Sequence, residues 1–337
     1  MNVVAPSPVS PRRARALYVC KASFHHYKEV DFAILEEEYD VTRLNYRYSP
    51  RAVGELIRAV SQHDFVFVWF ASPMAAAAVA AARALGKKSI VVAGGYDVAD
   101  YAPLRHGMAH RPAQKHFARF ALEHCDLVLP VSRFNQEELL RFAKPRRYLL
   151  VHNAVDLPPV DLERPRKRQV VTVGAVDVVY SKLKGHERFV EVAARLPDIR
   201  FIVAGPFKDR TVDELRQRAT PNVEFLGMVP HDRLVLLLGE SAAYAQLSYY
   251  ESFGVAVAEA MWCGATPVVS RLDALVEVVG DTGELVDAND TDAVARAIER
   301  AVNGPLPNRA AAARAALFSR EVRRERLLAA VRSVLTG

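Results

Sequence analysis

A chain of 337 residues, 51% hydrophobic and 25% charged, is long enough to bury two cores and too ordinary in composition to be disordered. Cys20, Cys125 and Cys263 stand apart without a C-x-x-C pair, which excludes a disulfide framework or zinc site and marks them as reduced, buried thiols. The formal charge of +6 sits wholly in the first half: residues 1–157 hold 21 Lys+Arg against 15 Asp+Glu, and residues 158–337 hold 24 of each. Such asymmetry points to an anionic partner for that half, either a phospholipid surface or a phosphorylated acceptor.

Met1 to Pro11 carries three prolines and no apolar stretch of signal-peptide length, so it reads as a loose tail. Short β-branched runs then alternate with helical stretches. Strands are expected at Ala16–Cys20, Val41–Leu44, Phe65–Phe70, Ser89–Val92, Leu127–Val131 and Tyr148–Val151, with helices such as Ala52–Ser61 and Pro73–Leu85 between them. Phe65 to Ala82 is 18 residues without a charge, the minimum for a membrane span. Its β-prone start and the Ser72-Pro73 helix signal favour a buried strand followed by a helix. The expected location is therefore the cytoplasm, with peripheral contact to an anionic membrane left open by the basic first half.

Leu157-Pro158-Pro159 and the run Arg164 to Arg168 form a proline-rich, charged link. No aromatic residue is interleaved with it, so a solvated linker is expected and nucleic acid is not. Alternation resumes with strands at Val170–Val173, Phe201–Val203, Val223–Phe225, Ala243–Gln246, Thr266–Val269 and Glu284–Val286. Helices fall at Glu187–Ala194, Arg233–Leu238 and Val255–Trp262. Two successive βα arrays imply an α/β protein of two doubly wound domains facing each other across a cleft. Residues 1–157 and 158–319 form the two domains, and a last helix over 320–337 packs back on the first. Ligands should sit at the carboxyl ends of the strands.

The motifs of several enzyme classes are absent. No G-x-G-x-x-G opens either domain: Lys21 to His26 follows the first strand, and Gly174-Ala175-Val176-Asp177 follows the first strand of the second array. The P-loop, G-x-S-x-G and H-E-x-x-H are absent as well.

The informative segment runs from Glu251 to Gly264. A helix starting near Ser252–Gly254 would turn its free N–H groups toward the cleft, a ready site for a diphosphate. Gly254 permits close backbone approach. Glu251 and Glu259 are eight residues apart, a little over two turns, so both can point to one side of an otherwise apolar helix. Carboxylates in that setting need partners, and ribose or sugar hydroxyls would serve.

This segment resembles the E-x7-E motif of the family-four retaining glycosyltransferases, which have the GT-B fold. The resemblance continues in Gly264 and Pro267-Val268-Val269, in Glu277 with Gly280-Asp281-Thr282-Gly283, in Val151 to Asp156, and in Asp126 to Ser132. It implies that Glu259 holds the ribose, that Glu251 contacts the donor sugar, and that the amides of Ser252, Phe253 and Gly254 hold the sugar or diphosphate. Lys184, before Gly185, would neutralise the diphosphate as it leaves. Gly174 belongs to the same implied donor site, but Ala175 stands where the family usually has Arg, and Lys182 is a candidate to compensate. Asp97, in Gly94-Gly95-Tyr96-Asp97, fits a polar position facing the donor sugar, while Tyr96 stands where His is common. Glu251, Lys184 and Asp97 are thus the expected catalytic residues. His106, His110 and His116 read as surface histidines.

From Pro112 onward the stretch Arg105 to Phe120 can be helical. Arg111, Lys115 and Arg119 would share one face, with Phe117 and Phe120 opposite, packed on the sheet. That basic face is either solvated or made for an anionic membrane or a phosphate-bearing lipid acceptor.

The function expected is transfer of a hexose from a nucleoside diphosphate sugar to an acceptor hydroxyl with retained configuration, without metal or cofactor. Two alternatives stay open: a sugar-nucleotide epimerase on the same fold, and an inactive nucleotide-binding protein, the latter motivated by Ala175 and Tyr96.

Overall fold

A computed structural model describes residues 12–21, 26–46 and 50–337. Met1 to Pro11, expected as a loose tail, and residues 22–25, next in sequence after Lys21, lie outside them. In the first half, β1 (Arg15–Lys21), β2 (Asp40–Tyr46), β3 (Phe65–Trp69), β4 (Lys88–Ala93) and β5 (Leu127–Pro130) form a parallel sheet in the order β2-β1-β3-β4-β5. In the second half, β6 (Lys167–Val173), β7 (Arg200–Ala204), β8 (Val223–Gly227), β9 (Ser241–Gln246), β10 (Thr266–Ser270) and β11 (Glu284–Val286) form another, ordered β11-β10-β9-β6-β7-β8. Both are doubly wound, and their order reverses between β1 and β3 and between β6 and β9. Crevices open at those points, beyond the carboxyl ends of the strands.

Continuous apolar strands arise because both faces of each sheet are covered. Along β1, Leu17 and Val19 join a core with helices Pro50–Ser61, Pro73–Ala84 and Pro112–His124. Ala16, Tyr18 and Cys20 face the other way, into a core shared with helices His26–Glu38 and Arg320–Leu335. The uncharged stretch from Phe65 resolves into β3 and a helix whose Ser72 Oγ accepts the Ala75 N–H at 3.2 Å, with Pro73 in its first turn. Among the described residues no helix is long and apolar enough to cross a membrane. Cys20, Cys125 and Cys263 are buried thiols.

The last helix, Arg320–Leu335, leaves the second half and returns to the first. Leu327, Leu328, Val331 and Val334 enter the core that holds Tyr18 and Phe67, and this core runs on to Val257 and Met261 of helix Val255–Trp262. Arg323, 3% exposed, donates to Asp31 Oδ1 and Oδ2 at 2.5 and 2.7 Å and to the carbonyls of Val151 and His152 at 3.0 and 2.5 Å. Asp31 is itself wholly buried.

Three expectations change. Tyr148 makes only a single parallel bridge to Val128, so residues 148–151 flank β5 without forming a strand. Arg164 to Arg168 is no solvated linker. Arg166 donates to the carbonyls of Ser241 and Cys263 at 3.1 and 2.6 Å, and Arg164 and Lys167 both pair with Glu240. Cys263 caps helix Val255–Trp262, whose terminal carbonyls need donors from outside. Phe117 does not pack on the sheet. It is 51% exposed, because helix Pro112–His124 buries the small face of Ala118, Ala121 and Leu122 instead.

Removing Arg323 would strand the Asp31 carboxylate in the core. Arg323→Ala should lower the unfolding free energy measured in urea by ~3–5 kcal/mol, and the joint change Asp31→Leu, Arg323→Met should cost less than either single alanine replacement. A cost below ~1 kcal/mol for Arg323→Ala would remove the pair as a structural anchor.

Candidate active site

The segment singled out in the sequence lies at the β6/β9 crevice. From β9 the chain runs through Leu247 to Gly254 and enters helix Val255–Trp262. Gly254 has φ +97°, and a Cβ there would also press on Leu275 at 2.8 Å, so no other residue turns this corner without strain. No side chain caps the first amides of the helix. They border a cavity of about 240 Å³ whose walls include Lys184, Gln246, Glu251, Ser252 and Asn153. An uncapped helix start beside a lysine is an anion site.

Lys184 reaches this cavity from the short helix Tyr180–Lys184 after β6 and forms an ion pair with Glu251. Gln246 Nε2 and the Ser252 N–H also donate to Glu251, each at 3.2 Å. Tyr244 OH in turn donates to Gln246 Oε1 at 2.7 Å. The carboxylate expected to touch the donor sugar is therefore held in a fixed frame, and its charge is balanced by the lysine expected to meet the diphosphate.

Glu259 is different. It is 6% exposed, and among the described residues no hydrogen bond or ion pair satisfies its carboxylate. Burial alone pushes its carboxyl up to about 7. A buried acid without a partner is costly, and a ligand donor is the usual resolution. His186 poses a similar question. Its ring is fully buried, its Nε2 has no partner, and it lies 3.2 Å from where a Cβ on Gly174 would project. Burial, then the charge of Lys184, lowers the imidazole to about 4, so it is neutral.

The first half supplies the opposite wall. A wider cavity of about 660 Å³ is bounded by Tyr27, Trp69, Phe70, Tyr96, Tyr180 and Arg111, with Lys184 and Glu251 at its second-half side. Asp97 borders it but spends both oxygens on backbone: Oδ2 accepts from the Ala71 N–H at 2.8 Å and Oδ1 from the Gly95 N–H at 2.9 Å. Burial raises its carboxyl to about 6, against the pull of those amides. Asp97 thus ties the loop after β3 to the loop after β4. The halves meet at Ser252, whose Oγ donates to the Gly94 carbonyl at 3.1 Å and whose carbonyl accepts from Ser132 Oγ at 2.6 Å. Gly95, φ +126°, permits this contact, since a Cβ there would fall 2.5 Å from Ser252 Cβ.

The structure brings Lys184, Glu251, Ser252, Phe253 and Gly254 to one cavity and sets Glu259 deeper in the same helix. Phe253 contributes its backbone, because its side chain packs on Phe318 and His152. Lys182 does not replace the expected arginine: it lines a separate pocket with Arg188 and Tyr101. His106 is no surface histidine but is buried between Tyr96 and Tyr250, and His110 pairs with Asp100. Sequence reasoning missed His186 and the aromatic wall. The His186 signal was its adjacency to Lys184-Gly185.

Two family models tile the chain: Glycosyltransferase Family 4 over residues 3–158 and Glycosyl transferases group 1 over residues 160–317. The chain belongs to this family of GT-B glycosyltransferases. A phosphatidylinositol N-acetylglucosaminyltransferase component of Arabidopsis thaliana is 31% identical over 197 residues, 55% of this chain and 43% of that protein. D-inositol 3-phosphate glycosyltransferase of Mycolicibacterium paratuberculosis is 32% identical over 223 residues, 58% and 49% of the two chains. The chain thus aligns with less than half the length of these curated relatives. Among solved structures, HepE of Anabaena, in complex with UDP and glucose, superposes with TM-score 0.78 at 15% identity, covering 95% of this chain and all of that one. Sucrose-phosphate synthase of Thermosynechococcus elongatus gives 0.76 at 16% identity, covering 96% and 100%. These two share the fold.

In this member of the family, burial makes Glu259 a pH-dependent liability when no ligand is bound. The folded chain holds its proton up to about 7, whereas the ordinary value is 4.5. Its contribution to stability is therefore full below pH 4.5 and lost as pH rises through 7. Glu259→Gln should match the parent near pH 4.5 and exceed it at pH 8 by on the order of 3 kcal/mol in chemical denaturation without nucleotide. Parallel stability curves for the two proteins across that pH range would contradict an unpartnered Glu259.

Proposed function

We propose that this protein transfers a hexose from a nucleoside diphosphate sugar to an acceptor hydroxyl, with retention at the anomeric carbon. The observation that carries the reading is the unpartnered, buried Glu259, in the helix whose uncapped start faces Lys184 and Glu251. A ribose diol would supply the hydrogen bonds Glu259 lacks, a diphosphate would meet the helix start and Lys184, and the sugar would lie against Glu251. The crystallised HepE complex with UDP and glucose, on the same fold, supports a donor of this class.

In this reading the bond from the anomeric carbon to the diphosphate breaks, and its electron pair leaves with the nucleotide. Lys184 and the helix amides meet that growing charge. The acceptor oxygen bonds to the carbon on the face just vacated, and its proton passes to a diphosphate oxygen. Asp97 does not compete for that proton, because backbone amides occupy both its oxygens. It is a positioning residue for the loops that carry Gly95 and Ala71.

A thermal-shift screen of UDP, GDP, ADP and dTDP identifies the base. Glu259→Ala should then weaken binding of the matching nucleotide by ~1.5–3 kcal/mol in calorimetry, and unchanged affinity would take Glu259 out of the site. Lys184→Ala should lower kcat more than it raises KM, since its contact strengthens in the transition state. A raised KM with kcat unchanged would make Lys184 a ground-state binder only. Proton NMR of the product reads the anomeric configuration: inversion would refute retention, and conversion of donor alone to an epimer would favour the epimerase.

A further inference from the structure

Beside the donor cleft lies a second cavity of about 430 Å³, walled by the helices Pro112–His124 and Arg133–Phe142, by Tyr250, and by Arg271 at the end of β10. Lys115 and Arg119 face it from the first helix, Arg141 from the second and Arg271 from the second half of the chain. We propose that this cavity seats a phosphomonoester carried by the acceptor. The proposal rests on the glycosyltransferase reading above and deepens it.

The argument is one of charge accounting. Three carboxylates also border the cavity, and one of them, Glu251, has a lysine of its own. Glu251 pairs with Lys184, Glu138 accepts from the neutral Tyr250 OH at 2.6 Å, and Asp100 lies 2.9 Å from the His110 ring, an ion pair only when that imidazole is protonated. Glu138 is 7% exposed, and burial raises its carboxyl to about 7, which further weakens it as a competing anion. The cations are not so balanced. Among the described residues, the side chains of Lys115 and Arg141 make no hydrogen bond and no ion pair. Arg119 donates only its Nε to the Phe142 carbonyl and stands 3.7 Å from Glu123, and Arg271 gives one Nη to the Leu285 carbonyl. Four cations, Lys115, Arg119, Arg141 and Arg271, thus border one cavity against two carboxylates, Glu138 and Asp100, that no lysine or arginine among the described residues pairs with. A dianionic phosphate matches such a set in charge and in bidentate geometry.

The cavity is also correctly placed. Tyr250 and Glu251 are its common wall with the 660 Å³ cavity that holds Lys184. An acceptor anchored by its phosphate here would extend its hydroxyl past Tyr250 toward the donor sugar. Lys115 and Arg119 are two of the three cations that the sequence set on one helix face, and they turn toward this interior space. A soluble polyol or sugar phosphate and a lipid headgroup share this binding chemistry.

The test uses the full chain and calorimetry with four probes: inorganic phosphate, glycerol 3-phosphate, glucose 6-phosphate and micelle-free dihexanoyl phosphatidic acid. At least one phosphomonoester should bind, its parent alcohol at least about tenfold more weakly, and affinity should fall with added salt. Lys115→Gln with Arg141→Gln should raise its Kd about tenfold or more, Lys115→Arg should restore much of the loss, and nucleotide Kd should stay unchanged in all of them. Preference for glucose 6-phosphate points to a soluble acceptor, and preference for phosphatidic acid to a lipid one. Alcohols binding as well as phosphates, or a double variant that binds phosphate like the parent, would overturn the proposal. Loss of nucleotide binding in the parent with phosphate binding intact would instead sink the donor reading alone.

Discussion

Arg323 is the point through which the arrangement of the two halves is fixed. Its guanidinium gathers a carboxylate from helix His26–Glu38 and the two carbonyls at Val151 and His152, where the chain passes from the first half to the second. Removing an arginine and an aspartate from water costs several kcal/mol per ion, and only a full set of hydrogen bonds offsets it. Here the carboxylate is held by both its oxygens and the rest of the guanidinium is turned to carbonyls. The pair adds little to hydrophobic stability, but it tolerates one geometry. Three segments distant in sequence must meet for either charge to be satisfied, and the cleft between the sheets inherits its shape from that requirement.

From there the site assembles by short steps. The sheet order reverses at β6 and β9, so the loops after them diverge and leave room. One loop delivers Lys184 and His186, the other Glu251 and the helix start. Ser252 then fastens the second loop to Gly94 and Ser132 of the first half. His152 and Glu277, 2.6 Å apart, make a further bridge between the halves. The donor loop is thus both part of the site and part of the contact that closes it.

Much of the fold was legible because covered parallel strands must be apolar on both faces. β1, β3, β4, β6 and β9 were visible as unbroken runs, and helix Val255–Trp262 was read with its observed limits. Tyr148 to Val151 misled because its composition suits a strand, whereas the segment runs beside β5 with backbone hydrogen bonds from Leu149 and Val151 but forms only the one bridge at Tyr148. Phe117 misled for a related reason: hydrophobicity does not say which face of a helix is buried, and small residues let helix Pro112–His124 pack closely through Ala118 and Ala121. In the site, residue types and spacing located Glu251, Gly254 and Glu259, and the family resemblance added Lys184. The sequence could not reveal that Lys184 and Glu251 neutralise each other across 67 residues, that Asp97 is consumed by amides, or that Arg166 caps a helix end. Those are properties of three-dimensional proximity.

The Lys184–Glu251 pair has a consequence for how the cycle ends. A lone lysine at a helix start would hold a nucleoside diphosphate tightly after reaction, and turnover would wait on its escape. In this cleft the departing anion has a resident rival. In the proposed reaction, Glu251 would be in position to reclaim Lys184 as the nucleotide loosens, and the vacated site would return to electrical balance without drawing ions from solvent. A bound diphosphate of the proposed donor would take Lys184 from the same carboxylate and free it to face the sugar. In that proposed cycle charge would alternate between two partners of one cation, and release need not be the slow step.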